Sequence, residues 1–83
     1  MQHCYSLRFA RLCPVDDTTI RYDLQLQSQQ KIMAEDIVAV CCGSVATLQE
    51  DLAECVAETF AFASGRLTAK HGAVKIVSRW EPL

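Results

Sequence analysis

Proline and glycine are scarce in this chain, with two and three copies among 83 residues. So few breakers leave little room for linkers or disorder, and an apolar content of 51% points to one compact domain. No run approaches the ~20 apolar residues that a membrane-spanning helix needs. The opening residues, MQHCYSLRFARL, lack the basic segment and apolar block of a secretory signal. GxSxG, HExxH, P-loop and GxGxxG patterns are absent, and three glycines could hardly build a phosphate-cradling loop. No catalytic set is therefore expected, nor any cofactor or metal.

Histidine is also scarce. His3 and His71 read as surface residues near strand ends. A metal scheme from His3, Cys4 and His71 would need the first and last strands to pair in parallel, and its spacing matches no signature. The five cysteines are Cys4, Cys13, Cys41, Cys42 and Cys55. An odd number, with two adjacent and no CxxC pair, fits neither a disulfide framework nor a zinc ribbon, and suggests a reducing cytoplasm. Cys41 and Cys42 would point about 100° apart on a helix, so they cannot grip one ion together. The expected role of the thiols is that of small buried hydrophobes.

What is present is alternation. Tyr5, Leu7 and Phe9 oppose Ser6 and Arg8 across His3 to Leu12, which is the period of a strand. Cys13-Pro14-Val15-Asp16-Asp17 interrupts it with turn chemistry. Ile20, Tyr22, Leu24 and Leu26 then alternate with polar residues up to Ser28, and the two strands read as an antiparallel hairpin. Val74, Ile76, Ser78 and Trp80 alternate with Lys75, Val77 and Arg79 in a further strand.

Between them the period changes. Thr47 and Glu50 have the spacing of a capping box, and Leu48, Leu52, Val56, Phe60 and Ala63 recur every three or four residues. With Gly65 as the left-handed closing residue, this predicts a helix of roughly five turns over 47–65. Residues 33–42 fit a shorter helix, although Ile37 to Cys42 also suits a buried strand; the helix is favoured, with a break near Gly43-Ser44. Arg66 to Gly72 reads as a loop. The expected fold is α+β: a small antiparallel sheet in the order β-β-α(α)-β, with one face covered by a long helix, broken or continuous.

Charge is unevenly spread. Residues 1–31 carry +1, residues 61–83 carry +3, and residues 32–60 carry −6, from Glu35, Asp36, Glu50, Asp51, Glu54 and Glu58 with no base. Glu50, Glu54 and Glu58 stack at i, i+4, i+8 beside Asp51, an arrangement that costs a few tenths of a kcal/mol per pair. These four acids are the candidate surface for an unknown protein partner. The leading expectation is a small non-enzymatic interaction module, homo-oligomeric through its open sheet edges. The alternative is an oligomeric small-molecule-binding or catalytic protein whose pocket lies between protomers, lined by Tyr22, Trp80 and a cysteine. A third reading places nucleic acid on an outer sheet face bearing Arg8, Arg21, Lys75 and Arg79. The aromatics fall on the opposite register and the net charge is −2, so nucleic acid is disfavoured.

Overall fold

The computed structural model describes residues 1–42 and 48–82. In chain order the elements are β1 (His3–Leu12), β2 (Thr19–Ser28), α1 (Ala34–Cys41), α2 (Gln49–Thr59), β3 (Ser64–His71) and β4 (Val74–Trp80). The strands form one sheet in the order β1-β2-β3-β4, with every neighbouring pair antiparallel. Both helices lie in the connection between β2 and β3. The strands read from alternation at 3–12, 19–28 and 74–80 are present, as is the helix at 34–41.

Two expectations are corrected. The long helix over 47–65 is shorter: α2 ends at Thr59, and Phe60 leaves helical geometry with φ −115° and ψ 59°. Thr47, the proposed cap, lies outside the described residues, as does the break at Gly43-Ser44; Leu48 is the residue preceding the helix and caps it with no side-chain bond. The loop at 66–72 is a strand. Leu67 and Ala69 of β3 are fully buried opposite Leu24 and Tyr22 of β2. The second helix is therefore shorter than expected, and a fourth strand stands in place of the loop.

The pleat sorts the side chains. Leu24, Leu26 and Leu67 face Leu52 and Val56 of α2 in a core that Ile37 and Cys41 of α1 also join. Phe9 stacks on Tyr22 with ring centroids 5.0 Å apart, extending this face to β1. Tyr5 reaches past the sheet end, where its hydroxyl accepts the Ile32 amide at 3.0 Å and anchors the chain entering α1. The other sheet face is uncovered and basic. Arg66 and Lys70 of β3 join Arg8, Arg21, Lys75 and Arg79 there, and Arg66 sits directly across from Arg79, and Lys70 from Lys75. Asp23 contacts Arg8 at 3.8 Å.

Gly65 has a packing role, not the helix-closing one expected. A Cβ at this position would fall within the indole of Trp80, its cross-strand partner. Gly65→Ala is expected to displace Trp80 and to cost about 1–3 kcal/mol, as overpacking does. Trp80 is the sole tryptophan, so a red-shifted emission with a lowered melting temperature reports the displacement directly.

Candidate functional site

The β1–β2 connection is a tight, internally bonded turn. The Cys13 amide donates to the Thr18 carbonyl at 2.7 Å, and the Asp17 amide donates to the Cys13 carbonyl at 3.1 Å. Asp17 takes up a left-handed conformation, φ 59°, which Asp tolerates better than most residues. Asp16 Oδ1 accepts both the Thr18 amide (3.1 Å) and the Thr18 hydroxyl (2.7 Å), fixing its carboxylate within the turn.

The β3–β4 hairpin ends at the same edge of the sheet. His71 pairs with Val74, so Gly72 and Ala73 form a two-residue turn that needs the positive φ of Gly72, 63°. Because Lys70 lies opposite Arg21, His71 falls beside the start of β2 and reaches the first turn. Its Nε2 is 3.2 Å from Thr18 Oγ1 and 3.5 Å from Asp16 Oδ2. Ligand atoms of Cys13, Asp16 and His71 all lie within 4.8 Å of one another. Cys13 is buried, Asp16 is exposed and His71 is intermediate, so the cluster spans the boundary between core and solvent.

It opens on a cavity of about 250 Å³, bordered also by Tyr22, Leu48, Gln49 and Glu50. Gln49 positions this wall. It is 94% buried, and its Nε2 donates to the Leu67 and Ile76 carbonyls at 3.2 Å each, fastening the first turn of α2 to β3 and β4. Both partners are acceptors, so the amide orientation is fixed by chemistry, and Oε1 has no partner among the described residues. A larger depression of about 690 Å³ lies on the basic face, bordered by Arg8, Arg21, Lys70 and Lys75, and holds neither thiol nor imidazole.

Local bonding sets the charge of the cluster. The Thr18 hydroxyl, then the Thr18 amide, then the Cys13 thiol hold Asp16 down to about 2 from an ordinary 3.8, with His71 adding a smaller attraction. Burial pushes the Cys41 thiol up to about 12, which leaves it inert at neutral pH. The expectation that the cysteines are buried therefore holds for Cys13 and Cys41; Cys4, Cys42 and Cys55 are exposed. Cys42 follows the end of α1, and Cys55 lies outside the buried stripe of α2.

The other sequence candidates are dispersed. Glu50, Asp51, Glu54 and Glu58 are exposed along α2, without an ion pair among the described residues; Glu50 also borders the cavity. Tyr22 borders the same cavity, whereas Trp80 packs on Gly65, four register positions away along β3, and borders a different one. His3 pairs with Ser28, at the sheet end remote from His71, because β1 and β3 both flank β2. Sequence reasoning missed the convergence of Cys13, Asp16 and His71. The signal was two turns, Cys13-Pro14 through Asp17 and His71-Gly72, which meet once residues 64–71 are recognised as a strand.

No family model and no curated protein matches the chain. Among solved structures it is similar to one described as the archaeosine synthase QueF-Like in the apo form, with a TM-score of 0.69 and 12% sequence identity. The match covers 95% of this chain and 90% of that one. Such a likeness establishes a shared fold.

A carboxylate whose folded pKa is lowered contributes stability that is present above its unfolded value, near 3.9, and is lost as pH falls through about 2. The acid limb of a urea-midpoint profile is expected to fall between about pH 4 and pH 2. Asp16→Asn is expected to lower the midpoint at neutral pH and flatten that part of the limb. An unchanged profile would remove Asp16 from the cluster's bonding.

Proposed function

We propose that the protein is a thiol-dependent enzyme acting on a small molecule, with Cys13 as nucleophile, His71 as its base and Asp16 holding the imidazole. One observation carries this reading: a thiol, an imidazole and a fixed carboxylate converge at the mouth of a cavity. These are the parts of an activated nucleophile, defined by role and geometry rather than by sequence motif. The fold shared with a structure described as a synthase is compatible with it. The separations are those of a ligand-free site, in which catalytic hydrogen bonds are commonly long and tighten around substrate.

In this scheme the Cys13 thiol passes its proton to His71. The sulfur pair then forms a bond to an unsaturated carbon polarised towards nitrogen or oxygen. The displaced π pair moves to that heteroatom, which takes the proton back from the imidazolium. Asp16, kept anionic by Thr18, favours the imidazolium while it exists. Glu50 supplies an acceptor on the cavity wall for substrate N–H or O–H groups.

A second copy of the chain completes the site. Val15, Leu48 and Val74 are 81%, 49% and 59% exposed around the cluster, an apolar rim that water does not favour. Among the described residues, the outer strands β1 and β4 each leave one edge unpaired. Light scattering under reducing conditions is expected to give a stable multiple of 9.2 kDa. A monomer at all concentrations would argue against an interprotomer site.

The nucleophile is tested by alkylation with iodoacetamide, followed thiol by thiol by mass spectrometry. His71→Gln is expected to slow Cys13 by about a hundredfold, the lower reach of general-base catalysis, and to leave Cys4, Cys42 and Cys55 unchanged. An unaltered Cys13 rate would overturn the assignment. A second reading, docking of a protein partner on α2, draws on its exposed carboxylates. Glu54→Lys with Glu58→Lys would then weaken partner capture at low salt without lowering the melting temperature.

A further inference from the structure

The same three side chains have a second chemical capacity. Sulfur, carboxylate oxygen and imidazole nitrogen are the ligand types that zinc selects, and three protein ligands with one open position define a reactive rather than a structural zinc site. We propose that Cys13, Asp16 and His71 bind one divalent transition-metal ion of the zinc type per protomer, with the open coordination position facing the cavity. This rests on the same convergence as the thiol-enzyme reading, but not on Cys13 acting as a nucleophile.

Three observations support it. All three ligand atoms fall within 4.8 Å of one another, so shifts of well under an ångström bring them around one ion at ordinary bond lengths of about 2.0–2.3 Å. The carboxylate is divided for the purpose: Oδ1 is occupied by the Thr18 amide and hydroxyl, while Oδ2 points to His71. An oriented ligand whose other oxygen is already bonded is the arrangement outer-shell groups provide at metal sites. The charges also match, because a thiolate, a carboxylate and a neutral imidazole together neutralise a dication. The ligands come from a bonded turn and a paired strand end, so little backbone ordering accompanies binding.

Binding displaces the proton of the Cys13 thiol, since the thiolate is the ligand, while the imidazole stays neutral with its one proton on Nδ1. Zinc would also occupy the sulfur lone pair and suppress the reaction of Cys13 with electrophiles, so metal availability would regulate the thiol.

The test is titration of the reduced protein with Co²⁺, in a background where Cys4, Cys42 and Cys55 are replaced by Ser to remove exposed competing thiols. The expected result is a thiolate-to-cobalt charge-transfer band with tetrahedral visible bands, saturating at one ion per protomer and displaced by Zn²⁺. Cys13→Ser should abolish the charge-transfer band, and Asp16→Asn and His71→Gln should each weaken binding by about tenfold or more, as loss of a contact at a metal site does. Far-UV circular dichroism confirms that each variant is folded. A zinc-dependent rise in melting temperature in the parent, but not in Cys13→Ser, gives an independent readout. No band at stoichiometric cobalt, a band that survives Cys13→Ser, or an affinity left unchanged by His71→Gln would overturn the site. The two readings fail separately. His71-dependent alkylation without cobalt binding retains the nucleophile and removes the metal, and cobalt binding with His71-independent alkylation does the reverse.

Discussion

The register between β2 and β3 is the constraint on which the rest of this structure depends. Leu67 and Ala69 are buried opposite Leu24 and Tyr22, and the side-chain period of a strand is two. A slip of one residue would expose both and turn Arg66, Thr68 and Lys70 into the core. The same register brings His71 to the end of the sheet where the β1–β2 turn holds Cys13 and Asp16. Hydrophobic burial thus fixes the geometry of a polar cluster some residues away. Gln49 reinforces it from the helix side by bonding carbonyls of β3 and β4 together.

Much of the fold was legible in the residues. β1, β2 and β4 announce themselves by clean alternation of large apolar and polar side chains, and α1 by Ile37 and Cys41 at helical spacing. β3 does not. Its inward positions are Gly65, Leu67, Ala69 and His71, only one of them a large apolar residue, because Trp80 and Gln49 fill the space that bulkier residues would take. Gly65 and His71-Gly72 then read as punctuation around a loop. α2 was overextended for a related reason: Phe60 and Ala63 continue the helical spacing into the core although the backbone has already turned, with the Ala63 amide donating to the Phe60 carbonyl at 2.9 Å.

The site was illegible because it is a property of pairing rather than of spacing. Cys13 and His71 are 58 positions apart, and nothing local to either marks it as reactive. The acidic ladder of α2 drew attention because it is local and periodic, yet only Glu50 of the four borders the cavity. The basic outer face was partly visible. Its directly opposed cations, Arg66 with Arg79 and Lys70 with Lys75, are an arrangement that destabilises a sheet and could be counted only once β3 was in place.

The most direct test of the account is whether the two turns meet in solution. In a nuclear Overhauser spectrum of the reduced protein, the His71 ring protons should show strong cross-peaks to the Thr18 side chain and weaker ones to the Cys13 β-protons, as the 3.2 Å contact between Thr18 Oγ1 and His71 Nε2 requires. Absence of these cross-peaks, with β1, β2 and β4 otherwise intact, would contradict the register of β3 and with it both the thiol site and the metal site.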